Sequence, residues 1–151
     1  MKLNVFGLAV LFSLSSWAHS NTVDPLIGTW KVIDQRTGYY VSDIIVRKDG
    51  ETQEYSAVIN KAYPLPGAAP SELCTQCKGT LKNQPLFAMP TLKGLIKNKQ
   101  THVYQQGIWL NPQDGQEYLI EGTLNPKQDQ MKMKVKLLQG LATGTLIWKK
   151  I

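Results

Sequence analysis

Cys74 and Cys77 stand three residues apart in Cys-Thr-Gln-Cys and are the only cysteines in the chain. That spacing allows three chemistries. At the start of a helix that follows a strand it forms a dithiol redox centre, because the helix dipole lowers the pKa of the first thiol. Paired with a second such motif, it builds a zinc ribbon. Alone in an oxidising compartment, it closes as a structural disulfide. Here Pro70-Ser71-Glu72-Leu73 precedes the pair, Lys78-Gly79 follows, and no βαβ pattern or second pair surrounds it. A disulfide staple is therefore expected, worth about 2 kcal/mol for so short a ring. A thiol oxidoreductase using Cys74/Cys77 is the competing reading.

Other reactive groupings are sparse. Of the two histidines, His19 lies in the leader, which leaves His102 alone and read as a strand residue. A zinc site needs three or four N, S or O ligands, so no metal and no cofactor is expected. A Ser/His/Asp triad would also depend on His102, and a Gly-x-Ser-x-Gly elbow is missing. Paired carboxylates could serve glycosidic chemistry. However, Asp43, Asp49, Glu51, Glu54, Asp114, Glu117 and Glu121 fall at turns or on solvated faces. A non-enzyme is expected. Trp30, Trp109 and Trp148 each sit in an expected strand. Core packing suits Trp30 and Trp148, and the sharper alternative has one or two of the three lining a cavity.

The elements that would position these residues begin after residue 20. Lys2, the apolar run Leu3 to Leu14, and Ala18-His19-Ser20 have the layout of a cleavable signal peptide, 1–20. The exported remainder, 21–151, suits one domain in the periplasm. Losing Lys2 with the leader takes the net charge from +6 to +5. Turn signals then recur every ten to fifteen residues between strand-like segments. These cover 28–35, 39–48, 51–63, 101–110, 116–124, 131–138 and 145–151. Asp49-Gly50 is the dipeptide of a tight hairpin turn. Five prolines interrupt 64–90. Residues 91–97 fit a short helix or an extended piece equally well. The clearest strand carries Met131, Met133, Val135 and Leu137 on one face and Lys132, Lys134 and Lys136 on the other. Seven or so strands joined by short turns predict an all-β, small antiparallel up-and-down barrel, with a two-sheet sandwich as the alternative.

The charge pattern narrows the partners. A nucleic-acid binder carries Arg-rich clusters with interleaved aromatics, whereas Arg36 and Arg47 are the only arginines here, so no nucleic acid is expected. The lysine stripe reads as a solvated face. It could also deter edge-to-edge pairing or meet an anionic envelope surface.

Gly28-Thr29-Trp30 resembles the Gly-x-Trp signature of lipocalin-like proteins. The resemblance implies that Lys149 or Lys150, beside Trp148, covers Trp30 through cation–π packing. More specifically, residues 24–151 resemble the exported bacterial family catalogued as domain of unknown function 2147. Asp24-Pro25, Gly28-x-Trp30 and Cys74-x-x-Cys77-Lys78-Gly79 carry it, with Asn83-Gln84-Pro85-Leu86 and Gly94-Leu95. Gly107-Ile108-Trp109, Asn111-Pro112-x-Asp114-Gly115-x-x-Tyr118 and Trp148-Lys149-Lys150 complete it. The chain departs from that pattern in having Lys150 where Arg is expected. The resemblance implies a small lipocalin-like barrel in the cell envelope. A barrel of this size can enclose one small ligand. The expected function is therefore a periplasmic binding or carrier domain for a small apolar or amphipathic molecule, lined by residues from Trp30, Tyr118, Ile120, Met133 and Val135. The alternative is an envelope interaction protein that meets a protein or polyanion through its basic face or Pro-rich loop.

Overall fold

The computed structural model describes residues 22–151, and the expected signal peptide, 1–20, lies outside them. Eight strands run in chain order: β1 Gly28–Asp34, β2 Tyr40–Lys48, β3 Tyr55–Ala62 and β4 Pro90–Lys97, then β5 Tyr104–Leu110, β6 Glu117–Leu124, β7 Gln130–Leu137 and β8 Thr143–Lys150. Each pairs antiparallel with the next, and β8 returns to β1, so the sheet closes into an up-and-down barrel. Among the described residues the one helical piece is a 3-10 turn, Gly79–Leu81. No helix among the described residues is long and apolar enough to cross a membrane.

Residues 91–97 form a strand, which brings the count to eight. Their pattern is obscured because Gly94 and Gln106, both at positive φ, interrupt the β4–β5 ladder between its Lys93–Ile108 and Ile96–Gln105 pairs. The break places Leu92 and Leu95, three residues apart, both inside. It does the same for Tyr104 and Gly107. On β7 the simple alternation holds: Met131, Met133 and Val135 are buried and Lys132, Lys134 and Lys136 are exposed.

Four connections share one design. Asp34, Asp49, Asn98 and Asn111 each accept a backbone N–H two residues on through the side chain. Each carbonyl then accepts the N–H four residues on, at a residue with positive φ: Gly38, Gln53, His102 and Gly115. Side-chain capping of this kind competes with a two-residue turn. Asp49-Gly50 therefore opens a longer loop, and His102 ends a turn instead of lying in a strand.

The two barrel ends differ. Loops β2–β3, β4–β5 and β6–β7 lie at one end, together with the segment 24–27. Leu26 is fully buried there, and its carbonyl accepts a hydrogen bond from Trp30 Nε1 at 2.9 Å. Asp24 accepts from Tyr55 OH at 2.7 Å, Lys48 Nζ at 3.1 Å and the Leu26 N–H at 3.1 Å. Burial pushes the Asp24 carboxyl up, but those three donors outweigh it and hold the group below its ordinary value. Lys150 covers Trp30, its Nζ 5.3 Å from the ring centroid and donating to the Pro25 carbonyl at 2.7 Å. This end is plugged.

Candidate functional site

The other end is the mouth, where loops β1–β2, β3–β4, β5–β6 and β7–β8 meet. A bowl of about 290 Å³ opens there. Val41, Trp109, Val135 and Leu146 are buried and form its floor, with Tyr118 half-buried beside them. Asp34, Arg36, Asn111, Gln113, Asp114, Thr143 and Thr145 give it a polar rim. The floor residues reach the mouth because each lies toward the mouth end of its strand. The rim residues are there because the Asx-capped turns at Asp34 and Asn111 hold their side chains at the barrel end.

Two aromatic contacts fix the geometry. Tyr118 packs against Trp109 with ring centroids 5.6 Å apart, and its hydroxyl donates to Asp114 at 2.6 Å. Burial and the Asp114 carboxylate both push the Tyr118 phenol well above its ordinary value, so it stays a neutral donor. Trp109 Nε1 is buried and has no hydrogen-bond partner among the described residues. Across the mouth, Gln113 Nε2 donates to the Tyr40 carbonyl at 3.2 Å and the Tyr63 carbonyl at 3.0 Å. That strut ties the β5–β6 turn to the ends of β2 and β3. Below it on the outer wall, Lys31 Nζ donates to Asp43 at 2.7 Å and Tyr63 OH at 2.8 Å. Burial lowers the Lys31 pKa, but Asp43 and Tyr63 raise it further, so the ammonium is held charged.

Loop 64–89 flanks the bowl. Cys74 and Cys77 form a disulfide with Cα atoms 5.3 Å apart. They are buried with Ile59, Leu86, Met89 and Leu110 in a second apolar cluster. A groove of about 340 Å³ runs between Cys77–Leu81 and Leu137–Gln139 on the far side of the β5–β6 turn.

The structure divides the residues expected to line a ligand site. Tyr118 and Val135 line the bowl. Trp30, Ile120 and Met133 belong to the packed cluster that occupies the barrel interior, with Trp30 and Trp148 6.5 Å apart at its heart. The sequence does not single out Val41, Leu146 or the rim residues as ligand-lining, whereas Trp109 takes the cavity-lining place offered to one or two of the tryptophans. The rest come together through sheet closure and loop geometry that adjacent residues do not encode.

Eight antiparallel strands closed in chain order, a Gly-x-Trp on the first strand beneath a basic residue, and a bowl at the open end define a lipocalin-like barrel. The solved structure of Helicobacter pylori protein HP1028, described as belonging to the lipocalin family, matches it with a TM-score of 0.63. The match has 16% identity over 83% of this chain and 82% of that one. The chain belongs to the bacterial family DUF2147, described as an uncharacterized protein conserved in bacteria, whose profile matches residues 28–150. Among curated proteins nothing matches.

Proposed function

We propose that this protein is a binding domain of the bacterial periplasm that holds a small apolar or amphipathic molecule in the bowl at the barrel mouth. The observation that carries this reading is the bowl itself: an apolar, aromatic floor beneath a rim of carboxylate, amide, hydroxyl and guanidinium groups. Small-molecule sites combine apolar walls with polar groups that orient the ligand, and here half of the lining residues are polar, which favours an amphipathic ligand. At about 290 Å³ the bowl lies at the lower limit of such sites, which run from about 300 to 1,000 Å³. A compact molecule, or one end of a longer amphipath, fits it. The interior below is already occupied by Trp30, Trp148, Tyr55, Tyr104 and the β7 methionines. Tyr118 and Val135 are the expected ligand-lining residues this reading keeps. The periplasmic assignment rests on the layout of residues 1–20.

The dithiol reading draws less support. Cys74 and Cys77 are 1% and 3% exposed, and attack on a disulfide needs access to a sulfur. A buried, oxidised pair suits a staple.

Native mass spectrometry of protein purified from its own periplasm tests the proposal. A non-covalent adduct is expected, and Val135→Lys should remove it by placing an ammonium in the floor. A bare mass, together with no thermal protection by small amphipaths, would end the carrier reading.

A further inference from the structure

The cysteine loop and the bowl meet at the β5–β6 turn. Gly115, at φ 69°, closes the β5–β6 turn, and the space a side chain there would need is filled by the carbonyl of Gln76. Gln76 is one of the two residues enclosed by the disulfide. On the same turn, the Pro112 carbonyl oxygen lies 3.9 Å from Cys74 Sγ. The disulfide ring therefore packs against the turn at two places, Pro112 and Gly115. Asn111, Gln113 and Asp114 of that turn line the bowl, and Asp114 holds Tyr118. The path from the sulfurs to the ligand site is short and made mainly of backbone, which transmits a displacement without a rotamer change to absorb it.

We infer that the Cys74–Cys77 ring is a positioning element for the bowl, setting the β5–β6 wall through the Gln76–Gly115 contact so that ligand affinity depends on the disulfide. The inference rests on the bowl being the binding site. It differs from a staple, which would alter stability and leave affinity per folded molecule unchanged. The protein supplies an internal control. The loop at Asp49 has the same capped design, with Gln53 donating to the Asp49 carbonyl and Asp49 donating to the Glu54 carbonyl. It lies at the plugged end, away from the cysteines.

The test uses the full exported chain in three forms: oxidised wild type, wild type reduced by a phosphine in denaturant and refolded under reducing conditions, and Cys74→Ala/Cys77→Ala. Amide hydrogen exchange is read at Asn111 and Gly115 against Asp49 and Gln53. The dissociation constant is read with the fluorescent amphipath N-phenyl-1-naphthylamine, with Val135→Lys as the blocked-bowl control. Both disulfide-free forms should exchange faster at Asn111 and Gly115 only, and bind the probe about tenfold more weakly, the scale of a typical coupling between sites. Unchanged exchange at the turn overturns the inference whatever the probe does. Faster exchange with an unchanged dissociation constant also overturns it, because the wall then does not set affinity. A wild type that ignores the probe, or binds it as well in Val135→Lys, overturns the bowl as the site and the affinity claim with it. The exchange data would still report the mechanical link.

Discussion

Lys150 Nζ lies 5.3 Å from the centroid of the Trp30 ring and donates a hydrogen bond to the Pro25 carbonyl, so the last strand locks the entry segment over the barrel floor. A cation over an indole contributes about 0.5–1 kcal/mol at exposed sites, and a charged donor on a carbonyl adds to it. Lys150→Ala should therefore lower stability by about 1–2 kcal/mol, seen as a reduced urea midpoint at unchanged slope. Lys150→Arg should match or exceed the wild type, because a guanidinium can stack on the ring and still reach Pro25. A fall in the arginine variant as large as in alanine would sink this account.

The same end of the barrel makes stability depend on acid. Asp24 is held below its ordinary value by Tyr55, Leu26 and Lys48 against the cost of burial. A carboxyl whose folded pKa is depressed stabilises the fold fully above its unfolded pKa, about 4, and loses that contribution as pH falls through the lower folded value. Unfolding free energy should thus decline as pH drops below about 4. Asp24→Asn should be less stable at neutral pH, with a shallower decline in acid. Chemical denaturation at pH 7, 4 and 3 checks the sign, and parallel curves would refute it.

How much of this was legible in the sequence depends on how simple each strand is. On β7 the run Met131-Lys132-Met133-Lys134-Val135-Lys136 obeys strict alternation, so both its type and its exposed face could be read directly. On β4 and β5 the alternation fails at Gly94 and Gln106, because an interrupted ladder shifts Leu95 and Gly107 inward by one position. A period-two reading cannot see that. His102 and Asp49-Gly50 misled for a different reason: an Asx side chain accepting two N–H groups specifies a longer loop than the dipeptide suggests. The bowl was the least legible part. Val41, Trp109 and Leu146 come from three separate strands, and their convergence depends on how the sheet closes. The Cys-x-x-Cys and Pro-x-Asp-Gly motifs could be seen as a pair in order, but not that one packs on the other.

Two glycines inside the barrel separate a backbone clash from a side-chain clash. A Cβ at Gly122 would run into Met133 Sδ and the Lys132 carbonyl oxygen, with Met133 Cα 3.0 Å away. A Cβ at Gly107 would meet Leu95 Cδ1 at 2.9 Å and Ile120 Cγ1 at 3.0 Å. Side chains can shift by a few tenths of an ångström, whereas the β6–β7 ladder cannot without losing hydrogen bonds. Gly107→Ala should cost about 1–3 kcal/mol, the usual scale of overpacking. Gly122→Ala should cost more and fail to give a cooperative unfolding transition. Equal midpoints for the two variants would show that strand β6 yields more readily than its pairing with Met133 suggests.

The last comparison separates the two classes of function. Lys132, Lys134 and Lys136 project from the outer wall of β7, where Lys134 faces Glu121 across the ladder. Val135, between them in sequence, points the other way into the bowl. One strand thus carries both candidate surfaces on opposite faces, and substitutions can address each without the other. Exchanging the three lysines for glutamine removes three positive charges from a chain with a net charge of +6. It should weaken attachment to anionic vesicles by roughly 1 kcal/mol per lysine while leaving ligand capture intact. Val135→Lys should do the reverse: capture is lost and vesicle attachment is kept or slightly strengthened. Vesicle sedimentation and native mass spectrometry, run on both variants, give the four values needed. If the glutamine variant lost its adduct and Val135→Lys kept it, the basic wall would be the working surface and the bowl would not.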